Sequence, residues 1–277
     1  MVAELMRTYP DGMPAEIHID FSTLRFIRAT GIVFLSNFVR WMALCGCRVY
    51  FASTACNSDA VRFLDDAQFF RHHTGSKINH AATVRQTTQP LVEISNDKVH
   101  SWLDLTLIPW IATRLSMSRA SFSDYKTCIS ELFNNIKDHT ANPIGSIFAQ
   151  HYPKLNRVSV SVGDWGIGIP ATVRTKAPTL TDSDAIRQAV VEGFSAKTQP
   201  NNRGAGLSLL LDKVVGQNGG DVTIYSGRGI VRFEPAGTFI QYHTFPETGF
   251  CPGTTLEINL RTDTIEAIPD DREDLTW

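Results

Sequence analysis

The chain has 277 residues, 43% hydrophobic and 19% charged, with 26 Lys and Arg against 28 Asp and Glu for a formal charge of −2. At roughly 100–200 residues per domain this length allows two domains or one large one, and the apolar content suffices for a packed core, which argues against a disordered chain. The near-neutral balance lacks the basic excess of a nucleic-acid surface, so nucleic acid is not indicated as a partner.

The opening, Met1 to Pro10, has neither a long apolar stretch nor a cleavage signal, so no secretory peptide is expected. Asn37, Arg40 and Arg48 interrupt the most apolar stretch, residues 31–52, which argues against a membrane span. The five cysteines, Cys45, Cys47, Cys56, Cys128 and Cys251, are odd in number and irregularly spaced. The expectation is reduced thiols in a cytoplasmic protein, with Cys45 and Cys47 too close for a zinc knuckle.

Residues 1–75 read as a small β-α-β-α unit. Glu16–Asp20 alternates polar and apolar, as a half-buried strand does, and Leu24 to Ile27 is a candidate extension. Ile32, Leu35, Phe38, Val39 and Met42 then recur at helical spacing, and Gly46 closes that helix. Arg48–Ala52 returns to strand, and residues 58–70 read as a helix with Val61, Leu64 and Phe69 on one side. Strands alternating with helices imply a sheet with helices packed on it.

The stretch from Ile19 to Gly31, followed by the apolar helix and Gly46-Cys47-Arg48-Val49-Tyr50, resembles the STAS domain of bacterial anti-sigma-factor antagonists. In that family a phosphoacceptor precedes the glycine of an Asp-Ser-Ser/Thr-Gly turn. Thr30 holds that position here, but Arg28 and Ala29 replace the residues before it. Read without the resemblance, Thr30 is a helix cap. The polar residues 76–99 are expected to be a linker.

The second patterned region runs from 100 to 262. Ser121 to Thr140 has helical periodicity, and Glu131, Asn135 and His139, four apart, share one face. A carboxylate and an amide oxygen one turn apart can hold a hard divalent ion such as Mg²⁺ together with a water, and a Glu there can take a proton from an attacking hydroxyl. Found alone, such a face is usually only solvated. Val158–Val162 alternates as a strand and runs into Asp164-Trp165-Gly166-Ile167-Gly168. An Asp at a strand end can accept from an adenine amino group, and the glycines permit a close approach.

Farther on, Gly204-Ala205-Gly206-Leu207 opens a helix extending to about Asn218. Glycines there turn free N–H groups and the positive dipole end toward an anion, although neither a Walker loop nor a dinucleotide fingerprint is present. Strands are expected over Asp221 to Ser226 and Gly237 to His243, and Gly253-Thr254-Thr255 precedes another over Leu256 to Leu260. Residues 263–277 form an acidic tail, expected to be exposed.

The four pieces start at Glu131, Asp164, Gly204 and Gly253, with steps of 33, 40 and 49 residues between them. In this order they resemble the Bergerat ATP-binding fold of the GHKL superfamily, whose members include type II topoisomerases, heat-shock chaperones, histidine kinases, MutL and anti-sigma serine kinases. The resemblance covers residues 100–262. It implies an α/β sandwich, a mixed sheet with helices on one face, that binds ATP and Mg²⁺. It implies Glu131 as general base, Asn135 as the Mg²⁺ ligand, Asp164 on the adenine amine, and Gly166 and Gly168 lining the base pocket. Gly204, Gly206 and Leu207 would lie at the phosphates, Lys197 or Arg203 would be a cation of a mobile lid over 171–203, and Thr254 would support the adenine through water.

Three activities fit these residues. The first is an ATPase or nucleotide-driven switch acting on a protein partner. The second is a Ser/Thr protein kinase of the anti-sigma type. The third is a nucleotide-sensing module without turnover. The first is preferred, because binding alone needs no base at 131 and Arg28-Ala29 spoils the acceptor turn. A sensor histidine kinase would need long paired helices, which residues 1–75 lack. A protein partner through the STAS-like unit and a homodimer follow from the resemblances alone.

Overall fold

The structure, a computed structural model, describes residues 2–9, 12–55, 58–139, 144–191 and 206–269. A short helix, α1 (Val2–Thr8), precedes β1 (Glu16–Asp20), which pairs in parallel with β2 (Arg48–Ala52), Glu16 opposite Arg48 and Asp20 opposite Ala52. A parallel pair needs a crossover, and α2 (Ala29–Leu44) makes it before Gly46 turns the chain at φ +76°. The Asp20 carboxylate accepts both the N–H and the hydroxyl of Ser22, at 2.9 and 2.7 Å. That turn ends β1, so Leu24 to Ile27 does not extend the strand. Thr30 does not cap α2 either. Arg28 holds the cap position without a side-chain bond, and Thr30 Oγ1, one residue inside the helix, is buried with no partner among the described residues.

Ser58 caps α3 (Asp59–Asp66), its Oγ accepting from Val61 N–H at 3.1 Å. The single helix expected over 58–70 is broken at Gln68, whose left-handed φ of 66° starts α4 (Phe69–Thr74) on a new axis. The expected linker 76–99 contains β3 (Thr88–Ser95) and the start of α5 (Asn96–Trp102). The polar residues of β3 hid the strand. Thr88 lies opposite Gln150, and the two side chains bond at 2.6 Å. A π turn, Leu103–Leu107, joins α5 to α6 (Ile108–Leu115). Pro109 follows it and cannot donate to the preceding turn. Then come α7 (Ser123–His139), β4 (Ile144–Tyr152), β5 (Arg157–Gly163), α8 (Gly168–Arg174) and α9 (Asp182–Ala189). The remaining elements are α10 (Gly206–Leu211, continued by a π turn to Gln217), β6 (Asp221–Gly227), β7 (Gly229–Ala236), β8 (Phe239–Thr244) and β9 (Cys251–Arg261).

Seven strands form one sheet in the order β3-β4-β5-β9-β6-β7-β8, and every neighbouring pair is antiparallel. The α/β class is as expected, but the mixed sheet is corrected. Short connections link β4 to β5, β6 to β7 and β7 to β8, which forces antiparallel pairing. Among the described residues the only parallel pair is β1 with β2.

Alternate residues of a strand face opposite sides, and the two sides of this sheet differ. Val158, Val160, Val162, Leu256, Ile258, Leu260, Val222 and Ile224 pack with Leu132, Phe133 and Leu210 in one apolar core under the helices. The other side carries Ser159, Ser161, Gly163 and Thr255, small enough for α2 to lie across β4, β5 and β9. Helices therefore cover both faces, the second of them by α2 of the N-terminal unit. Phe148 and Leu91 from the large sheet join Phe21, Ile32, Val33, Phe69 and Phe70 in a second apolar cluster. Among the described residues no helix is long and apolar enough to cross a membrane.

A charge cluster pins the N-terminal unit to β3. Arg40 of α2 grips Glu93 with two bonds of 2.6 Å, and His72 Nε2 of α4 lies 3.0 Å from the same carboxylate. Burial opposes ionisation of Glu93, but hydrogen bonds from His72 and Arg40 outweigh it and hold the carboxyl at about 2. Next to it, burial and the neighbouring His72 push His73 down to about 3, and Ser36 Oγ lies 3.0 Å from its Nε2.

Both groups lose protons on folding relative to the unfolded chain, so acid destabilises the fold through each. His73 acts from pH 6.5 downward toward 3, and Glu93 from about 4.5 downward toward 2. Denaturant midpoints measured against pH should fall below 6.5. His73→Gln should flatten the upper part of that fall, and Glu93→Gln the part below 4.5.

Candidate functional site

Two groups of predicted residues assemble around the antiparallel sheet. The first lies where α7 meets the start of α10. Glu131 and Asn135 project from one face of α7, and Gly206 abuts both. A Cβ at Gly206 would sit 3.2 Å from Asn135 Nδ2 and 3.3 Å from Glu131 Cβ. The Glu131 carboxylate accepts from Asn134 Nδ2 at 3.3 Å, and Asn134 Oδ1 accepts from Asn96 Nδ2 at 3.0 Å. This amide chain fixes the orientation of Glu131. Sequence reading missed Asn134 and Asn96, whose only signal is that Asn134 precedes Asn135.

The second group lies where β5 ends against β9. Asp164 is 8% exposed. Its N–H donates to the Thr254 carbonyl at 2.9 Å, and its Oδ1 accepts from Gly166 N–H at 2.6 Å. Burial pushes its carboxyl up to about 6, against the lowering effect of N–H donors from Gly166 and Thr254. Gly168 (φ +82°) and Gly253 (φ +69°) stand in the left-handed region, and neither has room for a side chain. A Cβ at Gly168 would meet Ser226 Oγ at 2.7 Å and the Gly253 carbonyl oxygen at 2.8 Å. A Cβ at Gly253 would overlap the Asp164 carbonyl. Ser226, which sequence reading missed, ties these pieces together. Its Oγ donates to the Gly253 carbonyl at 2.8 Å, accepts from Ile169 N–H at 2.9 Å, and lies 3.0 Å from Thr254 Oγ1. Gly253 and Thr254 stand within β9, not ahead of it, beside a register shift between Ser226 and Gly227.

The two groups share one apolar support. Ile169, just after Gly168, and Leu207, just after Gly206, both pack on the core beneath the sheet. Of the expected lid, residues 171–191 are anchored. Thr181 Oγ1 caps α9, accepting from Asp184 N–H at 3.1 Å. Asp182 pairs with Arg174 at 2.5 Å and accepts from Arg228 N–H at 2.6 Å. Ala185 and Ile186 are fully buried. The rest of the expected lid, with Lys197 and Arg203, lies outside the described residues, as does the phosphate glycine Gly204.

Among the described residues no group of three or more His, Cys, Asp or Glu side chains could hold a metal ion. Asn135 would be a ligand of a different kind, a single amide oxygen. Cys45, Cys47, Cys128 and Cys251 are unpaired. No protein-family model matches the chain, and no curated protein matches its sequence.

The crowding at Gly253 makes a direct prediction. Gly253→Ala should lower stability by about 1–3 kcal/mol, the cost of a strained left-handed residue, read as a lower denaturant midpoint with an unchanged slope.

Proposed function

We propose that the unit spanning residues 100–262 is a Bergerat-type domain of the GHKL kind that binds ATP with Mg²⁺ and hydrolyses it, as a nucleotide-driven switch on a protein partner. The observation that carries this reading is the packing of Gly206 against Glu131 and Asn135, while Asp164 is held among Gly166, Gly253 and Thr254, with Gly168 packed on Gly253. The first group offers an amide oxygen and a carboxylate beside the glycine that opens α10, which suit a phosphate-bound hard cation and an attacking water. Asn135 would hold Mg²⁺, whose role is to neutralise phosphate charge. Glu131, oriented by Asn134, would accept a proton from the water. The second group offers a buried acceptor, which suits an exocyclic amine. Phosphoryl transfer of this kind needs mainly positioning and charge neutralisation.

The STAS-like reading of residues 1–75 belongs to the same proposal, supported by the β1-α2-β2 crossover and the position of Thr30. Burial of the Thr30 hydroxyl argues against Thr30 as an acceptor, and bears on the anti-sigma-type kinase alternative only in that internal form.

Glu131→Ala should abolish release of label from γ-labelled ATP, at least 100-fold, while isothermal titration still shows ATP binding. Asn135→Ala should remove the Mg²⁺-dependent part of that binding. Hydrolysis at the wild-type rate in Glu131→Ala would overturn the assignment of the base, and transfer of label to protein would favour the kinase.

The pH dependence of base recognition follows from Asp164. A carboxyl titrating at about 6 is an ionised acceptor above that pH and loses that form below it. Affinity for adenosine, which carries no phosphate to titrate, should therefore be flat above pH 7 and fall as pH drops through 6, by up to roughly tenfold per unit. Competition titrations from pH 5 to 8 measure it.

A further inference from the structure

We infer that Asn37, in the middle of α2, is a positioning residue for Asp164, so that the N-terminal unit completes the base end of the site. This inference rests on the reading of Asp164 as the group that recognises an adenine amine.

Asn37 is 2% exposed. Its Nδ2 donates to the Asp164 carbonyl at 3.2 Å, across 127 residues of sequence. The Asp164 backbone is thus held on both sides of its Cα, by Thr254 through its N–H and by Asn37 through its C=O. The sheet leaves a gap for the amide. A Cβ at Gly163 would lie 2.6 Å from Asn37 Nδ2 and 2.9 Å from Thr255 Oγ1, so only a residue without a side chain admits Asn37 at that point.

Packing alone does not explain an amide there. Asn37 Oδ1 is buried with no hydrogen-bond partner among the described residues, and a stranded acceptor destabilises a fold. A leucine would cover the same face without that penalty. What the amide adds is a fixed direction for the peptide from which the Asp164 carboxylate projects. A shift of about 1 Å in a recognition group is enough to lose most of its selectivity.

The geometry predicts an effect on the base and none on the phosphates. The test compares ATP with ITP, which lacks the exocyclic amine, by isothermal titration with Mg²⁺ on the full chain. In the wild type ATP should bind at least tenfold more tightly than ITP. Asn37→Leu should lose fivefold or more in ATP affinity with ITP affinity unchanged, and should raise KM for ATP while leaving kcat. In an Asp164→Ala background the same substitution should have no further effect, whereas a purely structural role would persist there. Asn37→Ser, too short to reach the Asp164 carbonyl, gives the same readout should the leucine variant fail to fold. Folded variants that keep the wild-type ATP/ITP ratio overturn this inference alone. A wild type that binds neither nucleotide overturns the nucleotide reading together with it.

Discussion

A carboxylate stripped of nearly all its water must be held by fixed donors, and the region around Asp164 is arranged to meet that demand. The β5 strand ends there, and β9 runs alongside with Gly253 and Thr254 facing it. Two glycines in left-handed conformations keep side chains out of the crossing, and Ser226 of β6 bonds two of the converging segments, β9 and the start of α8. Moving any one of these segments would leave a buried donor or acceptor without its partner. The antiparallel pairing of β5, β9 and β6 puts those segments side by side although they are distant in sequence.

The N-terminal unit is tied to the same place. A two-stranded sheet is too small to bury its own apolar side. β1 and β2 are covered by α2, α3 and α4, but the resulting cluster is closed only by Leu91 and Phe148 of the large sheet. Phe63 meets Phe148 edge-on at 6.0 Å. Midway along α2 a polar contact is made as well, through Asn37. One helix thus joins an apolar seal on one side to a hydrogen bond at the carboxylate on the other.

Much of this was legible in the sequence where chemistry and period agree. Glu16–Asp20 alternates cleanly, Arg48–Ala52 is a short apolar run after a helix-closing glycine, and both are strands with those bounds. Glu131 and Asn135 share a helix face as their spacing of four requires, and Gly206 meets them. What was hidden had contrary local chemistry. In β3, Leu91 and Ile94 enter the two apolar cores, but Thr88 and Glu93 between and beside them pair with Gln150, Arg40 and His72, which breaks the apolar pattern of a strand. The mixed sheet came from the resemblance alone, and with β4 and β7 unread the residues offered no strand order to set against it. Ser226 and Asn37 carry no motif. Their importance comes from contacts across 27 and 127 residues, which no local pattern encodes. Lys197, Arg203 and Gly204 lie outside the described residues.

The Phe148 and Leu91 contribution to the second apolar cluster bears on how such a protein could be recombined. Two halves meeting through a plain tether can be exchanged like beads on a string. Here a substitute for residues 1–75 would have to reproduce the aromatic plug over Phe148 and offer an amide at the notch above Gly163. A graft lacking the plug would leave bare aromatic surface on the sheet and tend to self-associate. A graft lacking the amide would fold and yet leave Asp164 held from one side only.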